Sequence, residues 1–336
     1  MTAKRDANFL DLFVNVTKTI TSSLDPDDVF RLITEKIPEI IGADAATIRL
    51  LDKSGKKLEL RAAHGLSETY LNRGTIDTEE PIFKALHGEP ITIDEAPRDP
   101  RINFPDATRA EGIQTILVVP IPIRGEIRGI LRLLTKKPHT YQQDEIDLVA
   151  AIGEQCGIAI ENANIFKAQQ IQLDYFKAIH EIGQKINATY ALDTILDLIV
   201  KRLPAVMHLK AATIRLIEEN KGKLELKAAY GLSQAYLERG PLDDELATYY
   251  VKEGEPVVIR NAAQDIHTIY HQEAKAEGIG SILAVPITVQ GEIIGILRLL
   301  TEEVRQFSPA DINFAMTVAE QGGVAIQRAL DYSKMQ

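Results

Sequence analysis

The sequence holds a single cysteine, Cys156, among 336 residues. That excludes an internal disulfide and any thiolate-rich metal site built within one chain. No apolar run approaches the about eighteen residues that a helix needs to cross a bilayer. Positive charge is scarce too: 38 Lys and Arg against 48 Asp and Glu leave a formal net charge of -10. Such a balance disfavours non-specific attraction to nucleic acid or to an anionic membrane. The opening "MTAKRDANFLDLFVNV" has two basic residues, then turns acidic without a signal-peptide core. Motifs of catalysis are missing as well: no Gly-rich phosphate loop, no His-Glu-x-x-His and no serine-nucleophile elbow. Cytoplasmic residence, with neither nucleic acid nor membrane as partner, is the expectation.

What is present is a duplication. At 45% hydrophobic and 26% charged, the composition is that of a globular chain long enough for two ordinary domains. "LELRAAHGLSETYLNRG" from Leu58 and "LELKAAYGLSQAYLERG" from Leu224 agree at twelve of seventeen positions, 166 residues apart. The same offset aligns "AATIRL" at Ala45 with "AATIRL" at Ala211, and "GEIRGILRLLT" from Gly125 with "GEIIGILRLLT" from Gly291. No insertion separates these marks, and the period is far longer than that of a solenoid unit. The expected domains are 1-165 and 166-336.

Each copy begins with a helical pattern. "PDDVFRLITEKIPEII" places Val29, Leu32, Ile33, Ile37 and Ile40 on one face after an Asp25-Pro26 start. "ATIRLLD" and "KLELRAAHG" read as paired strands around the turn "DKSGKK". A short helix in "TIDTEEPIFKALHGE", a short strand "PITIDE" and a long polar loop holding a short helix follow. "QTILVVPIPIR" and "IRGILRLLTK" then give two more strands before a closing helix. The expected class is α+β: an antiparallel sheet of five or six short strands per copy, with terminal helices on one face. Pro120 and Pro122 sit awkwardly in a strand, since proline removes a ladder donor.

The order helix, "ATIRLLD", "LELRAAHGLS", "GEPITI", "TILVVPI", "GEIRGILRL", found in both halves, resembles a GAF domain. The chain is similar to tandem GAF proteins, a family of small-molecule and light sensory modules. The resemblance implies a central antiparallel sheet, a bundle of terminal helices on one face and a loop-covered pocket on the other. It does not imply a particular ligand. The Asn-Lys…Phe…Asp-Glu signature of the cyclic-nucleotide class is not assembled in either half. Bilin-holding members need a cysteine near the pocket loop, whereas Cys156 lies in the closing helix and its counterpart is Gly322. The reductase members need several cysteines.

Between the copies, from Gln143 to about Lys185, there is no proline and no strong turn signal. One long helix is expected, with a break near Gln169 as the alternative. A four-three stripe runs through Ile152, Cys156, Ala159, Ala163, Phe166, Gln170, Leu173, Lys177 and His180, apolar at first and then diluted, so no sustained zipper is expected. The resemblance implies a homodimer formed through terminal and linker helices.

Candidate ligand-binding residues fall in three groups. Arg49 and Arg132, with their matches Arg215 and Arg298, lie inside apolar strands, where a buried guanidinium needs a carboxylate, phosphate or carbonyl partner. The resemblance implies that the first and fifth strands lie side by side, with an anion or an acidic side chain between the arginines and Glu59 and Glu225 as available acids. The alternative is that the arginines lie on a solvated edge or reach over the helices to internal acids. His64, matched by Tyr230, ends the second strand and offers the pocket a ring with a polar tip, or is a core or rim aromatic. In the loop, Asp99 matches Asp265, Arg101 matches His267 and Phe104 matches Tyr270, so the two pockets are expected to differ in specificity. His267 and His271 share a helical spacing but lack a third metal ligand.

The expected function is a non-catalytic sensor or regulator. A small molecule of unknown identity binds one or both pockets and shifts the packing or dimer angle of the long helices. A kinase, cyclase or other regulator, in cis or in trans, reads the change. Either the protein stands alone or the chain is the sensory portion of a larger one. A dimerisation or partner-binding scaffold with filled pockets is the alternative; small residues in "RAAHG" and "KAAYG" speak against it. An enzyme would need convergent titratable groups, and His64, Arg101 and Asp99 are the only set to nominate. No helix-turn-helix supports DNA binding.

Overall fold

The structure, a computed structural model, describes residues 11–335 apart from 12, 53 and 219–221. Most of the opening segment read for a leader, and Lys53 of the hairpin turn, lie outside the described residues. The chain divides into two compact units, Met1–Gln170 and Ile171–Gln336.

In the first unit a helical stretch over 13–20 precedes α1 (Pro26–Ile41). Asp25 caps α1 by accepting from the Asp27 and Asp28 amides, and Pro26 occupies the first turn, where no amide is needed. Gly42 ends it at φ 81, a left-handed turn that suits glycine. Then come β1 (Ala45–Leu51), β2 (Leu58–His64), α2 (Glu68–Leu71), α3 (Glu80–Leu86), β3 (Ile91–Ile93), α4 (Pro105–Glu111), β4 (Thr115–Ile123) and β5 (Glu126–Thr135). The sheet has the order β2-β1-β5-β4-β3, antiparallel throughout. α5 runs unbroken over Gln143–Asn187. The second unit repeats the plan: α6 (Leu192–Met207), β6 (Ala211–Ile217), β7 (Leu224–Tyr230), α7 (Gln234–Leu237), α8 (Leu246–Lys252), β8 (Val257–Ile259), α9 (His271–Glu277), β9 (Ile282–Val289), β10 (Glu292–Leu300) and α10 (Pro309–Met335). Its sheet order is β7-β6-β10-β9-β8. Five strands form each sheet, the lower of the two expected numbers.

Strand alternation divides each core in two. Ala46, Ile48 and Leu50 of β1, with Leu131 and Leu133 of β5, pack on Val29, Ile33 and Ile37 of α1 and on Val149 and Ile152 of α5. Ala45, Ile130 and Leu134 face the other way, onto Tyr70, Ile82, Ile102 and Ile113 of the loop layer. We call these the helix face and the loop face. The first positions of the α5 stripe, Ile152, Cys156, Ala159 and Ala163, are buried in the helix-face core of the first unit, so they serve the domain. Phe166 and Leu173, further along, are exposed.

The strand prolines have a physical place. β3 covers β4 only from Ile116 to Val118, so Pro120 and Pro122 fall where β4 has no outer neighbour to accept a donor. Their carbonyls face α5, where Gly153 and Gly157 leave room for the close approach.

Candidate functional site

Arg49 and Arg132 share the loop face. In the β1–β5 register Arg132 opposes Thr47 and Arg49 opposes Ile130, a diagonal on one side of the sheet. Arg215 and Arg298 repeat this in β6 and β10. All four are buried, Arg132 and Arg298 at 2% and 4% exposure, so no solvated edge serves them. Each pair gains a third arginine from the loop layer. Arg73 lies over the Tyr70 ring at 3.6 Å and donates to the Tyr70 carbonyl; Arg239 lies over the Tyr236 ring at 3.8 Å.

The acids that answer these charges are not the expected ones. Glu59 and Glu225 are turned to Arg61 at 3.8 Å and Lys227 at 2.7 Å on the hairpin surface. The partners are Glu79 and Glu245, buried residues that immediately precede α3 and α8. Arg298 Nη1 donates to Glu245 Oε2 at 2.7 Å, whereas Arg132 Nη2 stands 4.0 Å from Glu79 Oε2. Burial pushes the Arg49 guanidinium below its ordinary value, helped by the Arg132 charge and opposed by Asp77 and Glu79. Arg215 is lowered in the same way, by burial and then by Arg239 and Arg298. Burial is also the main cause of the lowering at Arg73 and Arg239. Each unit thus holds two buried guanidinium groups beside a third that is half-buried.

His64 and Tyr230 do not join them. Leu58 packs on the loop face, and simple alternation would bring His64 to the same side. A bulge in β2 opposite Ile48 and Arg49 intervenes: Leu60 pairs with Arg49 but Ala62 pairs with Ile48. Everything after Arg61 is therefore reversed, and His64 opposes Ala46 on the helix face. Tyr230 opposes Ala212 for the same reason. Both side chains are exposed.

The loop residues satisfy one another. Arg101 Nε and Nη2 bind the Asp99 carboxylate at 2.9 and 2.6 Å, and that hydrogen bond is the main cause holding the Asp99 carboxyl below its usual range. His267 Nδ1 is 2.5 Å from Asp265 Oδ1. His271 Nε2 meets the Asp265 carbonyl at 2.8 Å. Asp99 and Arg101 therefore do not converge with His64, and the hypothetical enzyme set is dissolved. No group of three or more His, Cys, Asp or Glu among the described residues could hold a metal ion. Phe104 packs into the loop-face core against Gly74, where a Cβ would come within 2.5 Å of its ring. Tyr270 donates to the Pro241 carbonyl at 2.7 Å.

In the second unit Arg215 and Arg298 line a recess with Leu224, Leu242, Ala247, Val251 and Ile296 that is too constricted to admit a water molecule. Among the described residues fourteen buried side-chain nitrogen and oxygen atoms have no hydrogen-bond partner, and ten of them belong to the two arginine clusters. Sequence reasoning missed Arg73, Arg239, Asp77, Asp243, Glu79 and Glu245. Their signal was available: Tyr-Leu-x-Arg-Gly and Asp-x-Glu recur at the 166-residue offset.

A GAF-domain model matches residues 23–161 and 189–327. The chain belongs to the GAF-domain family. GAF domains are a non-catalytic sensory fold, and the family's roles are sensory and regulatory. Over 98% of its length this GAF chain is 22% identical to the dual 3',5'-cyclic-AMP and -GMP phosphodiesterase 11A of Takifugu rubripes, and spans 41% of that protein. Over 47% of its length it is 24% identical to the formate hydrogenlyase transcriptional activator of Salmonella typhimurium (strain SL1344), of which it spans 24%. The GAF domain of a phosphoenolpyruvate-protein phosphotransferase from Coxiella burnetii matches 48% of this chain and 98% of its own, at 24% identity and a TM-score of 0.44. No helix among the described residues is long and apolar enough to cross a membrane.

Proposed function

We propose that the protein is a sensor whose loop-face sites bind a small molecule and pass the event to the terminal helices. The observation that carries this reading is the concentration of unpartnered, buried polar atoms at the arginine clusters. A folded core rarely leaves such groups unpaired, and each costs about 1–3 kcal/mol. A polar ligand recovers that cost, and binding that recovers it in one conformation only shifts the population. Exposed apolar side chains on the long helices, Ile165, Phe166 and Phe176 on α5 and Val324 and Tyr332 on α10, support homodimerisation through these helices as the route of the signal. A kinase, cyclase or other regulator, in cis or in trans, is the reader. The buried, unpaired Cys156 supports a cytoplasmic setting.

A thermal-shift screen of polar metabolites against the full chain and against an Arg132→Met/Arg298→Met variant tests the reading. Compounds that raise the melting temperature of the wild type and not of the variant are expected. A complete screen without one supports the ligand-free scaffold instead.

A further inference from the structure

The two arginine clusters share a scaffold but use their acids differently. In the second unit both carboxylates are occupied by the protein itself. Asp243 accepts from Lys252 Nζ at 3.0 Å and from the Leu224 amide at 3.2 Å. Glu245 accepts from Arg298 Nη1 and from Thr268 Oγ1, both at 2.7 Å. In the first unit Leu86 stands at the position of Lys252, and Ile102 at that of Thr268. Neither can donate, and Asp77 Oδ1 and Glu79 Oε2 are left buried without a hydrogen bond.

The unpartnered atoms therefore differ in kind. In the arginine cluster of the first unit they are mixed: the two carboxylate oxygens, the Thr47 and Tyr70 hydroxyls, and the Nε atoms of Arg73 and Arg132. In the arginine cluster of the second unit they are donors alone: Nε of Arg215, Arg239 and Arg298, and Nη2 of Arg298. Arg215, Arg239, Arg298 and Lys252 against Asp243 and Glu245 leave two net positive charges there.

We infer that the recess of the second unit is an oxyanion site, built to take a carboxylate or phosphate group on Arg215 and Arg298, and that the first unit is not. This rests on the loop-face sites being ligand sites at all. Guanidinium donors held out of water match a planar or tetrahedral oxyanion, and the low polarity strengthens the attraction. In the first unit the same anion would meet the unpaired oxygens of Asp77 and Glu79. The recess is closed, and Ala247, Thr248 and Val251 of α8 form part of its wall. An anion seats only when α8 yields, and α8 follows directly on Glu245, the acid that accepts from Arg298. Occupancy and loop-layer movement are thereby coupled.

The experiment follows the arginine Nε–H resonances of the ¹⁵N-labelled full chain during titration with sodium phosphate and, separately, sodium acetate, each against sodium chloride at matched ionic strength. Signals are assigned by Arg215→Lys, Arg298→Lys and Arg132→Lys. The expected result is a saturable shift of the Arg215 and Arg298 signals with one or both oxyanions, no shift of the Arg132 signal, and roughly tenfold tighter binding in Glu245→Gln, which removes a competing charge while keeping an acceptor. A response to phosphate alone assigns a phosphate-bearing ligand; a response to acetate alone assigns a carboxylate. Shifts no larger than those with chloride, or equal shifts at Arg132, overturn the inference. If Arg298→Lys does not fold, loss of the chloride-corrected response in Arg215→Lys serves in its place. A metabolite that stabilises the wild type without moving the Arg215 and Arg298 signals overturns the oxyanion site and leaves the sensory reading standing.

Discussion

Replacing Glu245 by alanine removes the acceptor of both Arg298 and Thr268 and strands a guanidinium that is 4% exposed. Breaking a buried ion pair from one side costs about 3–5 kcal/mol. Glu79→Ala in the first unit removes an acid that stands 4.0 Å from Arg132 and whose hydrogen bond is to the Asn103 amide at 3.2 Å. That loss is worth about 1–2 kcal/mol, so the two matched substitutions should differ by about 2 kcal/mol. The sequence has no tryptophan, and the exposed, matched positions His64 and Tyr230 accept one as a reporter for each unit. Urea unfolding of His64→Trp and Tyr230→Trp backgrounds then reads the units separately, which a single global transition would not. With a slope of about 1–3 kcal/mol per molar urea, Glu245→Ala should lower its unit's midpoint by about 1 M or more. Equal losses for the two alanine variants, or a loss under about 1 kcal/mol for Glu245→Ala, refute the distinction between a closed and an open pair.

Other outcomes follow from the packing. Gly153→Ala places a Cβ 2.6 Å from the Pro120 carbonyl oxygen, both backbone-anchored, and should cost the first unit about 1–3 kcal/mol by overpacking, measured in the His64→Trp background. Cys156 is buried and burial pushes its thiol up, so Ellman's reagent should find no thiol in the native protein and one per chain in denaturant. Asp99→Asn loses the Arg101 pair, and exposure limits the effect to under about 1 kcal/mol. Because the folded carboxyl is held below its ordinary value, this contribution is complete above about pH 4 and fades as pH falls through the lowered value. Wild-type and Asn melting curves should therefore converge in acid and separate at neutral pH.

The duplication, the strands along the chain and the capped helix at Asp25 were legible because repeats, alternation and caps are local signals. So were the four strand arginines, since a charge inside an apolar strand is visible without coordinates. Their partners were not. Glu79 and Glu245 reach the sheet from a loop whose path no periodicity encodes, while Glu59 and Glu225 lay nearer in sequence. His64 and Tyr230 were misplaced by one bulge, which carries no side-chain signature and reverses the facing of every later residue in the strand. The pairing of Arg101 with Asp99 likewise depends on a tight turn that spends both side chains on each other.

The most direct measurement is native mass spectrometry of the full chain, mixed with a polar metabolite extract and repeated on Arg215→Lys and Arg132→Lys variants. A small molecule retained at one or two copies per chain, released on denaturation and lost with one of the arginines, is the expected result. A chain that retains nothing, or retains the same molecule undiminished in both variants, contradicts a sensor built on these clusters.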